Sequence, residues 1–283
     1  MNPPGHDDLA LRRILVAFDP ATAHRAAVEA VVDLAARLDA ELEALFVEDT
    51  NLLRLAELPF VRQFNHRGGG GRPLDPAVVE AELRALAAAA ERRVAVAATA
   101  RRIRWSFRRA RGALPGEVAA AAAEASLIVL ETSSRPLGSL PRLASAARLV
   151  VERTTGPVLL LPPDAAIGPP VSLVYQGAAA SRRAALTAAQ LAARYGVAPD
   201  LLLPAATPAE AESWLQECAE LLRPLALGAA HRRLAGPGGQ QFDRLVRSAA
   251  GGILVVDALT ALLEPRRFWA SLAAARCSVL LMR

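Results

Sequence analysis

Lysine is missing from this chain altogether, and cysteine, histidine and long apolar runs are scarce. Without lysine, a phosphate loop of the Gly-x4-Gly-Lys-Ser/Thr type is excluded. The two cysteines, Cys218 and Cys277, fall in the second half and suggest neither a disulfide framework nor a metal site. His6, His24, His66 and His231 show no ligand spacing. No Gly-x-Ser-x-Gly nucleophile elbow occurs. Nor is there a stretch of about 18 uncharged apolar residues, which a membrane-spanning helix would need. The opening MNPPGHDDLA lacks a basic region followed by an apolar one, so no secretory signal is expected. Together these absences predict a cytoplasmic protein with no membrane partner, no metal and no catalytic residues.

What is present is apolar and helix-forming. The 283 residues are 53% apolar and 22% charged, with mean hydropathy +0.26. Such a chain is not disordered and is long enough for two domains, each burying its own core. Net charge is +5 and the pI about 10.3. A basic surface is the footprint of phosphate binding, but this excess is small and scattered, which disfavours nucleic acid.

The chain states one pattern twice. Residues 14–47 run from an apolar strand, ILVAF, ending in Asp19, through a helix containing LAAR (Leu34 to Arg37), to a second strand, LEALFV. Residues 171–204 repeat this as VSLVY ending in Gln176, a helix with LAAR (Leu191 to Arg194), and DLLLP. One offset of 157 residues superposes both blocks, pairing Arg25 with Arg182. A domain-sized repeat implies duplication of an α/β unit.

Periodicity predicts strands at 13–18, 42–47, 102–108, 126–131 and 157–161, with helices at 23–39, 76–98, 115–124 and 141–153. The second half predicts strands at 171–176, 199–204, 225–232, 252–257 and 278–282, with helices at 180–195, 208–222, 241–249 and 266–275. Strands alternating with helices give right-handed βαβ units in a doubly wound parallel sheet. Thr207 to Glu210, with Pro208 between them, is a capping box. Residues 162–170, PPDAAIGPP, form a semi-rigid linker between domain 1 (1–161) and domain 2 (171–283). Residues 48–75 have no counterpart in the second half. They read as a short amphipathic helix and a four-glycine run, Gly68 to Gly71. The insertion is either a mobile flap over the carboxyl ends of the strands, where such sheets bind ligands, or a disordered surface loop.

The five-strand pattern, the aspartate ending the first strand and the closing GPVLLL resemble the universal stress protein family, as a tandem of two domains over nearly the whole chain. FVEDTNLLRLAELPF, RIRWSF and RARG look like a bacterial tandem subgroup of that family. The resemblance implies two five-stranded, Rossmann-like sheets of order 3-2-1-4-5, not one continuous sheet. It also implies an intrachain pseudo-dimer whose final strands meet at a pseudo-twofold axis, and leaves room for a homodimer. ATP-binding members carry Gly-x2-Gly-x9-Gly-Ser/Thr after the fourth strand. Aligned on Pro157, those positions hold Glu131, Ser134, Ala144 and Ser145, so only the hydroxyl survives. The resemblance makes Asp19 a ribose or adenine contact and the Val47 backbone an adenine contact, although Asp19 is equally read as a helix cap. Ser134, Gly138, Ala144 and Ser145 complete the candidate site for ATP or another adenine nucleotide in domain 1. Domain 2, with Gln176 and no glycine after Asp257, should be structural. Synthetase-like relatives of this architecture grip pyrophosphate after the first strand with Ser-Gly-Gly-x-Asp-Ser, where this chain has DPATAH.

Two readings of RRIRWSFRRAR, 101–111, stay open: arginines protecting a sheet edge, or a basic–aromatic strip for RNA. The expected function is a non-enzymatic stress-response regulatory module with an unknown protein partner and weak or lost ATP binding. The alternative is a functional ATP-binding member, weakly hydrolysing, that uses domain 1.

Overall fold

The computed structural model describes residues 11–18, 25–58, 60–63, 72–131, 142–162, 166–223, 230–233, 246, 251–257, 268–269, 271–272 and 275–282. The first half contains β1 (Arg13–Phe18), α1 (Arg25–Leu38), β2 (Glu41–Asp49), α2 (Thr50–Ala56), β3 (Arg62–Gln63), β4 (Arg72–Pro73) and α3 (Pro76–Arg101). It continues with β5 (Trp105–Gly112), α4 (Leu114–Ala121), β6 (Leu127–Glu131), α5 (Arg142–Arg153) and β7 (Val158–Leu161). The second half contains β8 (Val171–Val174), α6 (Ala178–Arg194), β9 (Asp200–Leu203), α7 (Pro208–Leu222), β10 (Ala230–Arg233), β11 (Ile253–Asp257) and β12 (Ser278–Met282).

Within each half the strands of the main sheet are parallel, and both halves show the expected order 3-2-1-4-5: β5-β2-β1-β6-β7 and β10-β9-β8-β11-β12, while β3 and β4 form a separate antiparallel pair. The halves are not separate sheets, however. β7 and β12 pair antiparallel, with Leu159 opposite Leu280, which makes one ten-stranded sheet. The final strands come together as the resemblance implies, but the expectation of two sheets rather than one continuous sheet is overturned, because a final strand left as an edge would bare a row of unpaired backbone groups.

Alternate residues of each strand feed opposite faces. Ile14, Val16 and Phe18 join α1, α3, α6 and α7 in one core. Leu15 and Ala17 join α4 and α5 in the other. With both faces covered, β6, β11 and β12 are buried along their whole length, as their uninterrupted apolar sequences require.

One strand is shifted from expectation. Predicted at 102–108, it lies at Trp105–Gly112 because α3 runs on to Arg101. Arg102 then stops the helix in the left-handed region, at φ 56°. The capping box forms: Thr207 Oγ1 accepts from Glu210 N–H, and the Glu210 carboxylate accepts from Ala206 N–H. The helix expected at 241–249 lies outside the described residues except for Val246, and that at 266–275 is described only at 268–269, 271–272 and 275.

The linker is tied down on both sides. Tyr195 Oη donates to the Ile167 carbonyl at 3.2 Å, and Ser278 Oγ to that of Ala166 at 3.3 Å. Arg37, from the first half, lies over the Tyr195 ring, 4.9 Å from its centroid. The insertion is anchored at its base. Asp49 caps α2 through Asn51 N–H, and Ala56, Leu52 and Leu53 pack against Val79, Leu83 and Leu74. The glycine run, and with it the expected flap, lies outside the described residues.

Candidate functional site

Parallel strands bring their carboxyl ends to one edge of the sheet, and ligands bind there where the strand order reverses. In the first half the reversal falls between β1 and β6. Phe18 and Glu131 end β1 and β6, and Val47 stands two residues before the end of β2.

Val47 is buried, and the direction of its backbone groups follows from the strand ladder. Glu41 N–H donates to the Arg12 carbonyl at 2.8 Å, while Leu42 N–H donates to the Arg104 carbonyl on the other side. Odd-numbered residues of β2 therefore turn their backbone groups toward β1, and Val47 is one of them. The β1–β2 register ends at Phe18 against Phe46. The next ladder donor to the Val47 carbonyl would be Pro20, which has no N–H. The carbonyl thus faces the crevice with no ladder partner to come.

The expected phosphate side is different. Glu131 ends β6 with only 2% of its surface exposed. Burying a carboxylate is costly unless it is partnered, and Glu131 is not without a partner. Ala144 and Ser145 lie in the first turn of α5, where helix N–H groups lack intrahelical acceptors. Asp19, Ser134 and Gly138 lie outside the described residues.

The second half repeats the phosphate-side substitution, a symmetry the sequence shows most plainly at Ala144-Ser145 and Ala270-Ser271. Glu131-x2-Ser134-x9-Ala144-Ser145 has its counterpart in Asp257-x2-Thr260-x9-Ala270-Ser271, at a constant offset of 126. Asp257 ends β11 as Glu131 ends β6, and it is likewise buried and partnered. The signal was legible, but the insertion shifts the offset away from 157 and hides it. Gly177 begins α6 at φ +89°, and a Cβ there would meet Trp214 Nε1 at 3.3 Å.

Two of the three arginines of β5, an outermost strand of the sheet, are engaged. Arg108 pairs with Glu43 at 3.1 Å, and Arg111 with Glu48 at 3.2 Å and Glu80 at 3.1 Å. Partnered charges at an edge fit protection against strand addition better than a strip for RNA. Burial pushes the thiols of Cys218 and Cys277 up to about 11, so both are protonated and inert at neutral pH. Among the described residues no group of three or more His, Cys, Asp and Glu is placed to hold a metal, and no helix is long and apolar enough to cross a membrane.

No protein-family model matches the chain, and no curated protein matches it either. Solved structures do. A universal stress protein from Archaeoglobus fulgidus DSM 4304 aligns over 98% of this chain and 99% of its own, with TM-score 0.69 at 13% identity. The chain has the universal stress protein fold, built twice. A candidate universal stress protein from Pseudomonas aeruginosa UCBPP-PA14 covers 97% of this chain and 94% of its own (TM-score 0.59, 15% identity). The cytoplasmic domain of a prokaryotic cation chloride cotransporter covers 95% and 94% (TM-score 0.53, 13% identity). Proteins of different printed description thus resemble this chain in fold, and function has to be argued from the site.

Proposed function

We propose that this chain is a tandem universal stress protein that works in the cytoplasm as a non-enzymatic stress-response binding module, with weak or lost ATP binding. The observation that carries this reading is the buried carboxylate ending the fourth strand of both halves, Glu131 and Asp257. Glycine at that position would let backbone N–H groups close on a phosphate. A carboxylate instead repels the anion by a few kcal/mol at contact distance, even at an effective dielectric of about 20. The expected dissociation constant for ATP is about 0.1 mM or weaker, equivalent to about 5.5 kcal/mol or less.

Calorimetric titration with ATP and magnesium tests this on the wild type and on Glu131→Gly/Ser134→Gly. The double variant should bind more tightly. Micromolar binding by the wild type, or no gain in the variant, would overturn the assignment of Glu131 to the phosphate position. The second reading, an ATP-binding first domain, is favoured by the Val47 carbonyl facing the crevice. It predicts a stoichiometric adenine nucleotide released on denaturing a fresh preparation, seen by mass spectrometry.

A further inference from the structure

The insertion that sets the first half apart turns two apolar faces in different directions. One face of α2 is spent on its own helix pair, where Leu52, Leu53 and Ala56 pack against Leu74, Val79 and Leu83. The other face and the turn after it leave Leu55 40%, Leu58 38% and Phe60 74% exposed. These side chains belong to one ordered segment. Leu58 N–H donates to the Leu55 carbonyl at 3.2 Å, and Val61 N–H to the Leu58 carbonyl at 3.1 Å. Large apolar side chains grouped at the surface and rimmed by charge mark an interaction surface.

The charges say what fits it. Arg54 and Glu57 are exposed on the same turn, and neither side chain has an ion-pair partner among the described residues. The apolar residues are therefore flanked by one unpaired cation and one unpaired anion, three positions apart. Such a surface is complementary to itself. A second copy laid antiparallel about a twofold axis sets each Arg54 against the other copy's Glu57, and the leucines and phenylalanines of both copies meet between them. A partner of one charge sign would satisfy one of these groups and repel the other. We infer that the chain forms a homodimer through α2 and the turn that ends at Phe60. The contact closes at two copies, because α2 has no counterpart in the second half, where α7 is the next helix after β9. Three apolar side chains and one charge pair per copy make a small interface, so the dimer should be reversible, with a dissociation constant of roughly 10–100 µM.

The test is sedimentation velocity on the full-length protein over a concentration series that spans this constant. The wild type should pass from monomer to dimer as concentration rises. Phe60→Ser removes the most exposed apolar contact and should weaken the dimer at least tenfold without lowering the melting temperature. Arg54→Glu and Glu57→Arg alter exposed charges only. Each alone places like charges across the axis and should weaken the dimer at least fivefold. Mixed in equal amounts, these two variants bring an acidic surface against a basic one, and should form a heterodimer at least as tight as the wild-type dimer. A wild type that stays monomeric, a dimer unmoved by Phe60→Ser, or a mixture no tighter than either charge variant alone would overturn the inference. If a monomeric wild type floats with phosphatidylcholine vesicles and Phe60→Ser does not, the surface belongs to a lipid and not to a second copy.

Discussion

The halves share one topology and differ in what their helices present. In the first, α3 runs 26 residues and lines a groove beside α1 with its alanines; in the second, α7 runs 15 and packs Trp214 and Leu215 against the core. Yet the end of the fourth strand is the same in both: a buried carboxylate, Glu131 or Asp257. Helix surfaces diverge at little cost because only one stripe of each is constrained by packing. Strand interiors buried on both faces cannot. Differences in function between the halves should therefore be sought on the helices.

The sharpest way to break the comparison is at the junction. Leu159 and Leu280 face each other across β7 and β12, and both are buried. Leu280→Ala should cost about 2–5 kcal/mol, and the loss should be felt in both halves. Trp105 reports on the first half once Trp214 and Trp269 are replaced by phenylalanine. In urea, its transition should move with Leu280→Ala as far as the circular dichroism signal does. A Trp105 transition that stays in place would show that the halves fold independently despite their shared sheet.

Much of this was legible in sequence. Uninterrupted apolar runs such as Leu127 to Leu130 and Val279 to Met282 name buried parallel strands, and the repeat of LAAR sets the register of the halves. The continuity of the sheet was not legible, because pairing of β7 with β12 depends on two segments more than a hundred residues apart. The start of β5 was misplaced because Ile103 and Trp105 alternate with arginines as a strand would, while the stop is a left-handed Arg102 that no glycine announces. At the site, Val47 could be named by resemblance. That its carbonyl faces the crevice follows only from the hydrogen-bond phase of β2.

A second, smaller effect separates the halves by pH. All the cysteines and tyrosines of the chain lie in the second half. Burial raises the Cys218 and Cys277 thiols from 9.0 to about 11 and raises Tyr175 and Tyr195 as well. A raised folded value means that the folded state holds the proton more tightly. The stabilisation is therefore fully present below the unfolded value near pH 9, and is lost as pH climbs toward 11. Two pH units correspond to roughly 3 kcal/mol per thiol at most. Urea midpoints of the wild type should be level from pH 7 to 8.5 and fall between pH 9 and 11. Cys218→Ala/Cys277→Ala should start lower and fall less steeply. Equal slopes would show that the thiols do not carry the loss.

The smallest effect lies where the halves touch through side chains. Arg37 sits over the Tyr195 ring while the Tyr195 hydroxyl bonds the linker carbonyl of Ile167, so one tyrosine serves two contacts by two different parts. Arg37→Met keeps an aliphatic stem over the ring and removes the charge, which at an exposed site should cost about 0.5–1 kcal/mol. Tyr195→Phe keeps the ring and removes the hydrogen bond, a loss of about 0.5–1.5 kcal/mol. Because each change leaves the other contact in place, their costs should add within about 0.5 kcal/mol. Tyr195→Leu removes both partners at once, so Arg37→Met made in that background should cost close to nothing. Chemical unfolding of the single and double variants reads all of these differences. If Arg37→Met costs the same with leucine at 195 as with tyrosine, the arginine acts through its own helix, and the halves are held together by the strand pair and the linker alone.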